Sequence, residues 1–299
     1  MSAPQLALDD QAARVLANAT KTRAQLSNIT PRWFSKLFPW VPVESGIYRV
    51  NKVRDASRVT VACSQRTQHD LPETFVDYAE RPPEHLLSAV TTTVGVSSRV
   101  SALYNGAHDQ LGEQLRLVTE ILKERREDEI LNNAEFGLLA NAAPSQRIVA
   151  SGPPTPDDLD RLISLVWKEP SFFVAHPRTI AAFGRECTRR RITLQTTPLF
   201  SGRFLTWRGI PLIPSNKLAT VRDKSSIVLM RFGEERQGIV GLYQPNLPDE
   251  RGRGLSVRFM EINRKAIASY LLTLYCSAAI LTEDAIGVLE DADLTAYEA

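Results

Sequence analysis

The chain has 299 residues, 43% of them hydrophobic and 23% charged, with a net charge of +2. That balance allows a sizeable core in one large or two modest domains, and excludes a chain that holds nucleic acid through its overall charge. Three dispersed cysteines, Cys63, Cys187 and Cys276, form no CxxC pair; this excludes a disulfide framework and a cysteine metal site, and fits a reducing cytoplasm.

Among the basic residues are 28 Arg and 8 Lys. Arg tolerates interfaces that Lys avoids, because its planar fork is weakly hydrated and stacks. The bias is compatible with extensive subunit contacts, and equally with a GC-rich genome. Residues 1–20 carry Asp9 and Asp10 and no apolar core segment, so no secretory signal is visible.

Residues 1–45 read as an arm. A weak helical stripe at Ala12, Ala13, Val15, Leu16 and Ala19 precedes PRWFSKLFPW, where Trp33, Phe34, Phe38 and Trp40 crowd into eight residues. A segment this short has no core of its own, so the rings must bury against their own domain or a neighbouring subunit. From Gly46 to about Val96 the pattern alternates: GIYRVNKV and RVTVAC, a polar tip QRTQHDLPE, then TFVDYAE and HLLSAVTTTVGV. This predicts a projecting β-hairpin that needs support from another chain.

His108-Asp109 offers a cap, and Leu111, Leu115, Val118 and Leu122 form one face of a helix running to about Asn132. Its charged run KERREDE reads as a solvated face. Asp157 and Asp158 start another helix ending near Trp167. SFFVAHP then reads as a strand, RTIAAFGREC as a helix, TRRRITLQTTPLFSG as a loop and FLTWRGIPLIPSNKL as a strand with a Gly-Ile-Pro turn. SSIVLMRF, RQGIVGLYQP and LSVRFMEIN are further strands. Ala266–Thr282 is 17 residues without a charge, near the lower limit for a membrane span, but its Tyr, Thr and Leu content reads as a long buried strand.

No catalytic, cofactor or metal motif stands out. The four histidines, His69, His85, His108 and His176, show no ligand spacing, and no nucleotide loop or nucleophile elbow occurs. His176 and Cys187, eleven apart across a strand–helix unit, read as structural.

The order of elements, with SFFVAHPRTIAAF, FLTWRGIPLIPSNKL and the ending YLLTLYCSAAILTEDAIGVLE, resembles encapsulin shell proteins and the major capsid proteins of tailed bacteriophages. LANATKTRAQLSNITPRW, WVPVESGIYRVN, HDQLGEQLRL, TPDDLD, FGEERQGIVGLYQP and LSVRFM resemble the second family of encapsulins, of the subgroup encoded beside a cysteine desulfurase. The resemblance implies an α+β capsid-type fold. Its parts would be an arm over 1–45, an extended loop over 46–97, a peripheral domain with a spine helix over 98–149, an axial domain over 150–253, and a peripheral return over 254–299.

It further implies a closed icosahedral homo-oligomer of about 60 copies enclosing a cargo enzyme, a cysteine desulfurase, in sulfur metabolism and in the cytoplasm. Residues 188–202 would form the tip at the five-fold axis, making Arg189, Arg190, Arg191, Thr196, Thr197, Ser201 and Gly202 candidate pore residues, with Arg203 close behind. Converging arginines would favour small anions unless paired with carboxylates. Trp33, Phe34, Phe38 and Trp40 become candidate inter-subunit contacts. From the absent motifs, the near-neutral charge and the strand-like 266–282 run, no cofactor, nucleic acid or membrane span is expected. The competing readings are a membrane-associated protein using Trp33–Trp40 or 266–282, and a viral capsid that packages nucleic acid.

Overall fold

Two sheets organise the residues described by the computed structural model, which are 29–51, 53, 77–97, 110–200, 202–265 and 267–295. The weak stripe at 12–19, the cap at 108–109 and the hairpin tip at 65–73 lie outside them.

The first sheet is built on β14 (Ile267–Ile280), the strand that carries most of the uncharged run. One edge of β14 pairs antiparallel with β4 (Ser88–Ser97). The other pairs with β13 (Leu255–Ile262) and then with β11 (Ile239–Tyr243). With both edges hydrogen-bonded, this run is a sheet strand, as its β-branched and aromatic content predicts, and not a spanning helix. No described helix is long and apolar enough to cross a membrane. β1 (Trp40–Pro42) joins β11 in parallel, and β12 (Glu250–Gly252) pairs with β13. A separate two-stranded ribbon pairs β2 (Ile47–Arg49) with β3 (Glu84–Leu86). Tyr48 Oη donates 2.5 Å to Glu234, tying the ribbon to the body.

Three helices flank or follow this sheet: α1 (Trp33–Leu37), α2 (Gln110–Asn132) and α3 (Leu138–Asn141). The spine is α2. Its Leu115, Val118 and Leu122 pack against Leu255, Leu272, Leu274 and Cys276 of the sheet, so the predicted apolar face is the packed one.

The second sheet runs β5 (Arg147–Val149), β15 (Ile286–Asp293), β10 (Lys224–Met230), β6 (Phe172–Ala175), β9 (Ile210–Pro214), β8 (Gly202–Trp207) and β7 (Gln195–Leu199). Its central strands read as continuous apolar runs because both faces are covered. Alternate residues Phe172, Val174, Val228 and Met230 meet α1, α3 and the end of α2. Phe173, Ala175, Ile227 and Leu229 meet α4 (Pro156–Leu165) and α5 (Pro177–Arg189). At the start of α4, Thr155 and Asp158 form a capping box with Pro156 in the first turn. Arg208 (φ 50°) and Gly209 (φ 84°) make the two-residue turn between β8 and β9, both left-handed as a primed hairpin turn requires.

Sheet membership cuts across chain order. β11 and β12, placed by sequence in an axial unit over 150–253, belong to the β14 sheet; β15, placed in the return over 254–299, closes the other sheet. Strand register decides membership, and it reaches across the chain in a way local pattern does not show. Where the two sheets meet, Arg231 is 1% exposed. It donates to Asp284 Oδ1 (2.8 Å), Thr282 Oγ1 (2.8 Å) and the carbonyls of Asp284, Lys168 and Gln237. Burial would raise the Asp284 carboxyl, but Arg231, Thr282 and Lys168 outweigh it and hold that group far below the usual carboxylate range.

Candidate assembly surfaces and pore loop

The aromatic arm is seated on its own subunit. Phe34 and Phe38, 0% and 3% exposed, pack with Phe172 and Phe232 at centroid separations of 4.9–6.4 Å. These two rings, expected at a neighbouring subunit, therefore have no surface left to offer one. A five-residue helix cannot stand alone, and Phe172 of the second sheet, with Phe232, supplies aromatic partners for it. Gly241 makes room for them: a Cβ there would lie 2.5 Å from Phe38 Cδ1 and 2.8 Å from Trp40 Cε3. Trp33 and Trp40 are half-buried. Trp33 stacks on Phe200 at 5.1 Å, and the Trp40 ring lies under Arg126 at 4.6 Å.

Acidic groups of the spine fasten the arm. Glu124 accepts from the backbone N–H and Oγ1 of Thr30, from Arg32 (3.0 Å) and from Lys217 Nζ (2.7 Å). Glu127, 2% exposed, accepts from the Ser35 N–H and Ser215 Oγ. Burial would raise the Glu124 carboxyl, yet Lys217 and Thr30 hold it below its ordinary value. Hence the charged run expected to be a solvated face is only partly so. The signal was present in the sequence, since Glu120, Glu124 and Glu127 share one helix face at i, i+4 and i+7.

The Arg-rich segment is a helix end and a hairpin, not an open loop. Arg189 closes α5 and pairs with Glu186 at 3.0 Å. Arg190 pairs with Glu186 (2.7 Å) and Asp157 (2.9 Å), so carboxylates answer two of the three consecutive charges. Arg191, exposed and at φ 59°, turns the chain. Thr196 and Thr197 lie on β7 opposite Leu205 and Phe204, and Gly202 opens β8 opposite Leu199. Ser201 lies outside the described residues. Antiparallel pairing replaces the expected loop because TLQTTPL alternates and meets the stronger strand RFLTW. The hairpin is itself pinned: Trp207 Nε1 and Arg208 both donate to Asp160 of α4. At the turn, Phe200 rests on Trp33, which joins the hairpin to the arm.

His176 and Cys187 sit at opposite ends of α5, about 16 Å apart along its axis, and do not meet. The His176 side chain accepts from the Arg178 N–H at 3.1 Å and caps the helix. Burial, with Glu186 beside it, pushes the Cys187 thiol up to about 11; burial pushes Cys276 up to about 12. Both are inert packing groups at neutral pH. Exposed apolar side chains gather elsewhere, on β13 (Phe259, Met260 and Ile262) and at Trp167 and Val149. Such exposure on sheet strands and helix ends is what contacts between copies would cover.

Two packed sheets with a long spine helix and an aromatic arm define a capsid-type subunit. The capsid of an empty GTA particle shares this fold at a TM-score of 0.63 and 14% identity, covering 91% of this chain and 93% of that one. Residues 46–296 match the family described as Type 2A encapsulin shell protein SrpI-like, and this chain belongs to that family. The Type 2A encapsulin shell protein SrpI of Synechococcus elongatus is 62% identical over 297 residues, 99% of this chain and 97% of that protein. The cryo-electron-microscopy structure of the holo-SrpI encapsulin complex from the same organism superposes at a TM-score of 0.85. It is 58% identical and covers 98% of this chain and 99% of its subunit.

Proposed function

We propose that this protein assembles into a closed icosahedral compartment of about 60 copies and holds an enzyme inside. The observation that carries this reading is the end-to-end likeness to a subunit of the holo-SrpI encapsulin complex, at a TM-score of 0.85 over 98% of the chain. The exposed apolar side chains of β13, Phe259, Met260 and Ile262, support it, as a surface that repeated contacts would bury. The cargo we assign is a cysteine desulfurase, working in sulfur metabolism in the cytoplasm, by resemblance to encapsulins encoded beside that enzyme. Co-expression with a desulfurase tests it: the enzyme should co-elute with the particles and resist added protease. An enzyme that elutes apart and is digested would remove the cargo assignment.

The β7–β8 hairpin and the end of α5 are our candidate pore rim. With Arg189 and Arg190 paired to Glu186 and Asp157, exposed Arg191 and Arg203 are the candidate rim cations left to act on passing anions. Arg191→Glu should slow entry of a small anionic quencher into particles loaded with a fluorophore. Unchanged entry would end the selectivity role.

A further inference from the structure

Beneath the arm, Ser35, Lys36, Trp40, Lys123, Arg126, Arg253 and their neighbours line a cavity of about 220 Å³. Four of these residues are cations, and the compensation they receive is thin. Lys123 pairs with Glu120 at 2.9 Å, and Lys36 lies over the Trp33 ring at 4.6 Å. Arg126 has its guanidinium over the Trp40 ring, yet its Nε is buried with no hydrogen-bond partner. The Ser35 Oγ, on a residue 7% exposed, is likewise buried and unpartnered. Two orphaned donors and a desolvated guanidinium in one hollow are costly, and a ring face returns less than an anion would. Burial and the repulsion of Arg32 and Arg253 outweigh the opposing pull of Cys276 and Glu127 and weaken Arg126's hold on its proton, which an anion would reverse.

We propose that this cavity binds a small tetrahedral oxyanion, inorganic phosphate or sulfate, through Arg126 and Ser35, with exposed Arg253 at its mouth. Such an ion has several acceptor oxygens, enough to engage the guanidinium, the hydroxyl and Arg253 together. Bound there, it would bridge α1, α2 and the β12–β13 turn, fixing the arm to the spine and to the first sheet.

Isothermal titration of the purified full-length protein with sodium phosphate and sodium sulfate, at constant ionic strength in chloride, tests the site. The expected result is saturable binding of about one ion per chain, weakened about tenfold by Arg126→Gln, the loss of one charge-assisted contact. Arg253→Ser changes only an exposed side chain and should weaken binding about threefold, so the test stands even if Arg126→Gln fails to fold. No heat beyond that of added chloride, or an affinity unchanged in Arg253→Ser, would overturn the proposal. A density map in phosphate buffer should show a compact peak beside Arg126; a carboxylate side chain from a neighbouring copy in that position would overturn it as well.

Discussion

Arg231 offers the sharpest energetic test of how the two sheets are held together. It is 1% exposed and binds Asp284, Thr282 and three carbonyls. Arg231→Met keeps the volume of the stem and removes the charge, leaving Asp284 with Lys168 and Thr282. Breaking a buried pair costs about 3–5 kcal/mol. Because Asp284 keeps a partner, the lower end applies, about 3 kcal/mol. At about 2 °C per kcal/mol for a chain of this size, Tm should fall by roughly 6 °C, read by tryptophan fluorescence at fixed protein concentration.

Asp284→Asn should cost a similar amount, since it strands a buried guanidinium. The double variant should then lose clearly less than the sum, by more than about 1 kcal/mol. Acidification gives an independent check. The native Asp284 carboxyl sits below the 3.8 of an unfolded aspartate, so its contribution is complete well above that value and fades as pH falls through and below it. The Tm gap between the parent and Asp284→Asn should therefore narrow from pH 6 to pH 3. Strictly additive single variants, or a gap independent of pH, would refute the pin.

Deletion of residues 1–28 should leave a soluble, cooperatively melting protein, whereas deletion of 1–40 should not, because it removes Phe34 and Phe38 from the core at about 3–5 kcal/mol each. Equal solubility and circular-dichroism melts for the two deletions would contradict the arm's place in the subunit. Gly241→Ala should lower stability by about 1–3 kcal/mol through collision with Phe38, and Phe38→Leu should recover part of that loss in the same background. An unchanged melting curve for Gly241→Ala would show that the rings are not packed on this strand. Alkylation at pH 8 should leave Cys187 and Cys276 unmodified in the folded protein, as peptide mass mapping would read; rapid labelling of either would contradict their burial.

Much of the fold was legible where a single element carries its own pattern. The uncharged β14, the apolar face of α2 at Leu115, Val118 and Leu122, and the acidic start of α4 each announce themselves within a few residues. What escaped the sequence lies in contacts between distant segments. Glu124 meets Thr30 and Arg32 across more than 90 residues, and Glu127 meets Ser35 across 92, so a run of charges looked solvated when half of it is an anchor. The arm's rings could be recognised as needing burial, but nothing local tells Phe34 that its partners are Phe172 and Phe232. Likewise the pairing of Arg190 with Asp157 is invisible until α4 and α5 are packed.

Electron microscopy of the purified full-length protein, supported by native mass, tests shell closure directly. The expected result is uniform hollow icosahedral particles whose mass is about sixty times that of the 33.3 kDa chain. Monomers or small open oligomers, stable across protein concentration, would contradict a closed shell.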